Sequence, residues 1–311
     1  MSLSLEGIDW RVTPPEIPDE LPVATLATPS YEERLHAVRT LHDRFTLGET
    51  IELDLPEGVA HAGRRGEVQY FAASGAVRAR DTEVCRAFPD ERRPWTDVLE
   101  VDDEGGPRYV LGEQTSSLLF QDAGELLRAA RLLPDGLGDV DVVLDQWAQL
   151  DESGAEIDRG PGRAVVRAPY SLDGVPFIGA GAKTRLAYEP VGGRPVLARM
   201  FHVHRPVVDV HSVRTGGTER ALTGLLRDPF LVEHHQRGAC VAVTGIQVGL
   251  LALPAVVPQH IAAPAVAVRG VLENVHDDRR GPIELRFARY YQAVSAKSLR
   301  AAGFAAAHIP H

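Results

Sequence analysis

This sequence predicts an α+β fold made of tandem units, each an antiparallel β-sheet packed by an α-helix. Three observations lead there. Three amphipathic helical patterns are separated by long runs of strand-like sequence. The strands outnumber the helices and recur as hairpins, which fits antiparallel sheets with helices on one face better than a parallel βαβ sheet. The run from "GAVRARD" to a helix at 122–133 also has the pattern of the run from "PVLARMFHVH" to a helix at 218–226, as an internal repeat would.

Residues 1–29 are rich in proline and acids and read as an extended N-terminal arm. The first unit, 30–158, opens with a helix: Ser30 and Glu33 have capping-box spacing, Leu35, Val38, Leu41 and Phe45 share one face, and Gly48 ends it. Strands follow from Ile51 to Val110, split at Ser74-Gly75 and Gly105-Gly106. A second helix turns Ala123, Leu126, Leu127 and Ala130 inward and stops at Pro134, and "DVDVVLDQWAQLD" alternates as a strand with its acids to solvent. The loop "ESGAEIDRGPG" separates the units. The second unit, 159–311, has strands to "PVVDVHS", then a helix with Ala221, Leu222, Leu225 and Leu226 on one face and Pro229 as its stop. More strands follow, and a short terminal helix from about Ser295.

The chain has 311 residues, 44% hydrophobic and 24% charged, enough for a sizeable core. Its net charge of −10 argues against a nucleic-acid or anionic-membrane partner, since both need a basic field. Arginine supplies all the basic residues except Lys183 and Lys297, and with the alanine and glycine content this points to a GC-rich bacterial genome. Cys85 and Cys240 cannot form a disulfide framework and read as small buried hydrophobes. The N-terminus has no signal-peptide pattern and no apolar run is of membrane-spanning length, so a cytoplasmic, soluble protein is expected.

The stretch "GVPFIGAGAKTRLAYEP" (174–190) invites comparison with a phosphate loop. Such a loop needs a glycine, four residues, then Gly-Lys-Ser/Thr at a helix start. Here Ala180 stands where the lysine should be, and "KTRLAYEP" alternates like a strand. A hairpin turn is the expectation. The Tyr291–Lys297 spacing fails the Tyr-x-x-x-Lys pattern of short-chain dehydrogenases, and no Gly-x-Ser-x-Gly elbow occurs.

Tyr170, Gly174, Pro176, Gly179, Arg205, Glu219, Ala221, Leu222 and Leu225, with Pro264, Gly270 and Tyr291 later, stand where PepSY-like domains and YycH/YycI-type regulatory proteins have their recurring residues. Residues 165–295 resemble that family. The resemblance implies a PepSY-like, cystatin-like helix-on-sheet architecture and a non-catalytic module that recognises a peptide or protein partner; it carries over no catalytic residue. Those relatives are usually exported or membrane-anchored, and this chain has neither signal nor anchor.

The richest titratable cluster is "FHVHRPVVDVHS". On a strand His202 and His204 share a face, and a turn at Arg205-Pro206 would bring Asp209 and His211 back beside them. His202, His204 and Asp209 are then candidate catalytic residues for acid/base chemistry, and Arg205, His211, Lys183 and Tyr188 candidate substrate contacts. This predicts a cofactor-independent enzyme of isomerase, cyclase or lyase type acting on a small molecule, possible in bacterial secondary metabolism. The alternative is the binding module. No cofactor is required, although His202, His204 and His211 suit a divalent metal. The plainest reading is a wet sheet face. Partners are a small molecule, or a peptide or protein, and self-association is left open.

Overall fold

A computed structural model of the chain describes residues 3–86, 95–103, 106–133, 137–152, 156–277 and 281–304. Among them nineteen strands outnumber six α-helices, and the strands form two large sheets and two small ones. The predicted pair of helix-on-sheet units is therefore corrected to a mostly β molecule. Its largest sheet has eight antiparallel strands drawn from both predicted units.

That sheet joins two four-stranded meanders edge to edge. The first meander is β3 (Thr50–Leu55), β4 (Gly58–Gly63), β5 (Gly66–Phe71) and β6 (Ala76–Asp81). The second is β9 (Asp141–Leu150), β10 (Glu156–Pro169), β13 (Lys183–Val191) and β14 (Arg194–Val203). Strand order is β3-β4-β5-β6-β14-β13-β10-β9, so the two patterns read as a repeat, β6 and β14, meet at the central seam. The predicted boundary at 158/159 falls inside β10. Strand-strand pairing across the whole width, not the polar loop, decides which segments belong together.

One face of this sheet is covered by α1 (Tyr31–Arg44) and α3 (Glu113–Ala129). Ser30 accepts from the Glu33 amide and Glu33 accepts from the Ser30 amide, a capping box that fixes where α1 begins. Leu41, Phe45, Leu119, Leu126 and Leu127 pack on Val68, Val77, Val166, Leu186 and Met200. Each such side chain contributes about 1.5–3 kcal/mol by leaving water. α3 starts earlier than its apolar stripe predicts, because Asp97 accepts from the Thr115 amide in its first turn. A short helix, α2 (Thr82–Arg86), and the hairpin of β7 (Val98–Asp103) and β8 (Gly106–Leu111) complete this half.

The second large sheet has six strands and mixed direction. Its spine is β16 (Cys240–Ala252), β18 (Pro264–Asp277) and β19 (Gly281–Gln292), all antiparallel. On the other edge of β16 lie β1 (Ile8–Trp10) and β12 (Val175–Gly179), both parallel to it, with β11 (Ser171–Leu172) outermost. α4 (Gly217–Leu226) and α5 (Pro229–Gln236) cover one face, with Leu225 and Leu231 against Val241, Val243, Val266 and Val268. Pro229, expected to stop a helix, instead occupies the first turn of α5 behind the Asp228 cap.

The predicted arm is also corrected. β2 (Glu20–Leu26) is the middle strand of a three-stranded sheet between β15 (Val207–Arg214) and β17 (Ile261–Ala262), and Val23 and Ala24 are fully buried there. The alternation in "ELPVATL" outweighs the surrounding prolines. A final helix, α6 (Ala296–Ala301), packs Leu299 into the same cluster. No described helix is long and apolar enough to cross a membrane.

"GAGAKT" is no hairpin either. Gly179 ends β12 in one large sheet and Lys183 begins β13 in the other, so residues 180–182 carry the chain across. A Cβ on Gly181 would stand 1.7 Å from the Leu253 carbonyl oxygen, so only glycine fits that crossing.

Candidate functional site

The predicted cluster is divided by the fold. His202, on β14, is fully buried at the end of the helix-covered face. Its Nδ1 lies 2.7 Å from Thr184 Oγ1 and 3.4 Å from the Tyr170 hydroxyl, which itself hydrogen-bonds Thr184. The His204 ring stands 4.8 Å from the Tyr170 ring and 6.3 Å from that of His202. Arg34, from α1, donates to the carbonyls of Gly75 at 3.0 Å and His204 at 3.3 Å. Burial, then the Arg34 and His204 charges, hold the His202 pKa well below the usual imidazole range, and burial raises the Tyr170 hydroxyl to about 12. His202 and Tyr170 are therefore both neutral at physiological pH. His204 borders a cavity of only about 10 Å³, no larger than one water needs.

Asp209 and His211 are not beside it. They are exposed on β15, paired with each other at 3.0 Å, and His211 lies edge-on to Phe304. His202, His204 and His211 therefore do not converge, and among the described residues no three His, Cys, Asp or Glu side chains gather as a metal centre would require.

Arg205 is buried and donates to the carbonyls of Leu253 (3.2 Å), Pro254 (3.3 Å) and Val257 (2.7 Å). Burial lowers its pKa to about 10, so it remains a cation that pins the loop after β16. Tyr188 donates to Asp122 at 2.8 Å, and Asp122 pairs with Arg44, tying the sheet to α3 and α1. Lys183 is half-buried, its pKa lowered by burial and then by Arg185. Cys85 and Cys240 are free and half-buried.

The substantial concavity lies elsewhere, a groove of about 1140 Å³ between α4 and the C-terminal part of β19. Glu219, Arg220, Thr223 and Arg227 form the helical wall; Arg289, Tyr290 and Gln292 form the strand wall; Leu251 to Pro254 supply an apolar end. β19 is an edge strand that pairs with β18 alone among the described strands, so its other edge carries no ladder partner there.

The charges here are unevenly committed. Asp228 caps α5 through the amides of Phe230 (3.0 Å) and Leu231 (3.2 Å), accepts from the Tyr291 hydroxyl at 3.0 Å, and has Arg289 Nε at 3.6 Å. Burial and then Asp228 push the Tyr291 pKa upward. Arg289 lies over the Phe230 ring at 4.4 Å, and its buried Nε has no hydrogen-bond acceptor. Arg220 uses Nε on the Val294 carbonyl. Arg227 is exposed and has no carboxylate partner among the described residues. Excess guanidinium therefore faces the groove. Its described lining includes no histidine, cysteine, lysine or serine.

Sequence reasoning missed Arg220, Arg227, Arg289 and Tyr290. For Arg289 and Tyr290 the available signal was the strand "IELRFARYYQ", but only tertiary structure makes that strand an edge.

No protein-family model matches this chain, and no curated protein does. A solved structure, an uncharacterized protein from Eubacterium rectale ATCC 33656, is similar in fold: TM-score 0.53, 8% identity, covering 89% of this chain and 84% of that one. The likeness extends over the greater part of both chains and concerns the fold alone.

Proposed function

We propose that the protein is a binding module whose groove along β19 takes an extended acidic peptide, added as a further strand at the sheet edge. The observation that carries this reading is the coincidence of a sheet-edge strand with surplus guanidinium in one groove. Main-chain hydrogen bonds to β19 supply affinity that any extended peptide can use, and Arg220, Arg227 and Arg289 select for carboxylates. The apolar segment Leu251–Pro254 receives a hydrophobic side chain at one end. Acid/base chemistry on a small molecule has less support, because the His202 ring is sealed and its expected partners lie on another sheet.

The test is selection of decapeptides from a displayed random library, followed by fluorescence anisotropy. Acidic extended sequences should be enriched, and Arg227→Glu should weaken their binding about tenfold or more through charge reversal. The exposed Arg227 side chain makes no hydrogen bond or ion pair among the described residues, so that variant should fold. Binding indifferent to Arg227→Glu, or enrichment of basic or helical sequences, would refute the reading.

A further inference from the structure

On the face of the eight-stranded sheet opposite α1 and α3 the register lines up two rows of side chains. One row, from β5 to β9, is Glu67, Arg80, Arg199, Ala187, Val165 and Val143. The next is Gln69, Arg78, Phe201, Arg185, Arg167 and Asp141. Arg199 thus stands directly opposite Arg80, and Arg185 directly opposite Arg167. Like charges directly opposed across a sheet are destabilising, and this sheet holds two such pairs side by side.

The carboxylates are at the margins. Glu67 meets Arg78 at 3.0 Å and Arg80 at 3.1 Å, Asp145 meets Arg163 at 3.0 Å, and Asp141 pairs with Arg167. Among the described residues these ion pairs engage four of the six arginines and three carboxylates. The two central guanidiniums have none: Arg185 is exposed with no hydrogen-bond or ion-pair partner among the described residues, and Arg199 uses Nε on Cys85 Sγ at 3.0 Å. Arg78 adds a buried Nε without an acceptor. Between them lies a cavity of about 340 Å³, floored by Ala187, Val165 and Phe201. In a chain of net charge −10 this is a local positive island.

We propose that this cavity is a binding site for a small organic polyanion, a molecule with at least two phosphate or carboxylate groups and an apolar body over Phe201. Arg185 and Arg199 grip the charged groups by bidentate hydrogen bonds, and the bound anion relieves the opposed arginine pairs. The acidic margin confines the ligand to the cavity's width and repels a long nucleic-acid backbone. This site is independent of the groove along β19 and on a different sheet.

The experiment is calorimetric titration and thermal unfolding of the full chain with inorganic pyrophosphate, ATP, citrate and a short duplex DNA, the first two separating phosphate from citrate's carboxylates. At least one small polyanion should bind with one-to-one stoichiometry and raise Tm. Arg185→Gln and Arg199→Gln should each weaken it about tenfold. Without ligand, Arg199→Gln should be at least as stable as the parent, because it removes an opposed pair. Arg227→Glu should leave the binding unchanged. No binding of any small polyanion at millimolar concentration, binding that survives both Arg185→Gln and Arg199→Gln, preference for the duplex, or loss of stability in ligand-free Arg199→Gln would each overturn the proposal. Arg185→Gln is the variant expected to fold unchanged, since its exposed side chain has no hydrogen-bond or ion-pair partner among the described residues.

Discussion

His202 shows how a residue type can be read correctly for reactivity and wrongly for role. Two histidines spaced for one strand face do lie within ring contact, but the strand end seals His202 against Thr184 and Tyr170 and leaves His204 half-buried beside it. Its consequence is pH-dependent stability. The unfolded chain takes up a proton on His202 near the ordinary value of about 6.5, while the folded state, its pKa held lower by burial, does not. Stability is therefore complete above that pH and falls as pH drops below it, by up to about 1.4 kcal/mol per pH unit from this group. Urea unfolding at pH 7.5 and 5.5 should show the gap between the parent and His202→Gln narrowing on acidification. An unchanged gap would mean that His202 takes up its proton in the folded state at the same pH as in the unfolded chain. Arg205 likewise read as a ligand contact because guanidinium is chemically apt. Burial against three carbonyls makes it a staple.

At the scale of elements, what was legible is what local chemistry decides. The capping box at Ser30, the apolar stripe of α1 and the buried positions Ala123, Leu126 and Leu127 of α3 follow from short-range pattern, and the structure has them. β2 was not legible, because a strand flanked by prolines is recognisable only once β15 and β17 are seen on either side. The crossing at "GAGAKT" failed for the same reason. Glycine reports a backbone need but not whether that need is a tight turn or a close approach. Gly181→Ala distinguishes them: with the Leu253 carbonyl in the way, it should cost more than about 2 kcal/mol in urea unfolding, whereas Gly192→Ala, in an open turn at positive φ, should cost only about 1 kcal/mol. Equal costs would place Gly181 in an ordinary turn.

Across the whole molecule, the organisation that positions function is sheet width rather than tandem repetition. α1 and α3 cover one large sheet and α4 and α5 the other, and segments distant along the chain meet within the sheets. That arrangement leaves two surfaces uncommitted. The face of the eight-stranded sheet opposite α1 and α3 collects arginines, and the six-stranded sheet ends in β19 with a groove beside it. Neither could be read from the sequence, since alternation of arginine with apolar residues looks the same on a covered strand, an open face and an edge. The central claim, that a peptide completes the sheet at β19, is tested most directly by hydrogen exchange with and without a selected acidic peptide. The account predicts slowed exchange at alternate amides of residues 283–292, those directed away from β18, with the amides already bonded to β18 little changed. Protection spread over α4 alone, or confined to the arginine face of the other sheet, would contradict it.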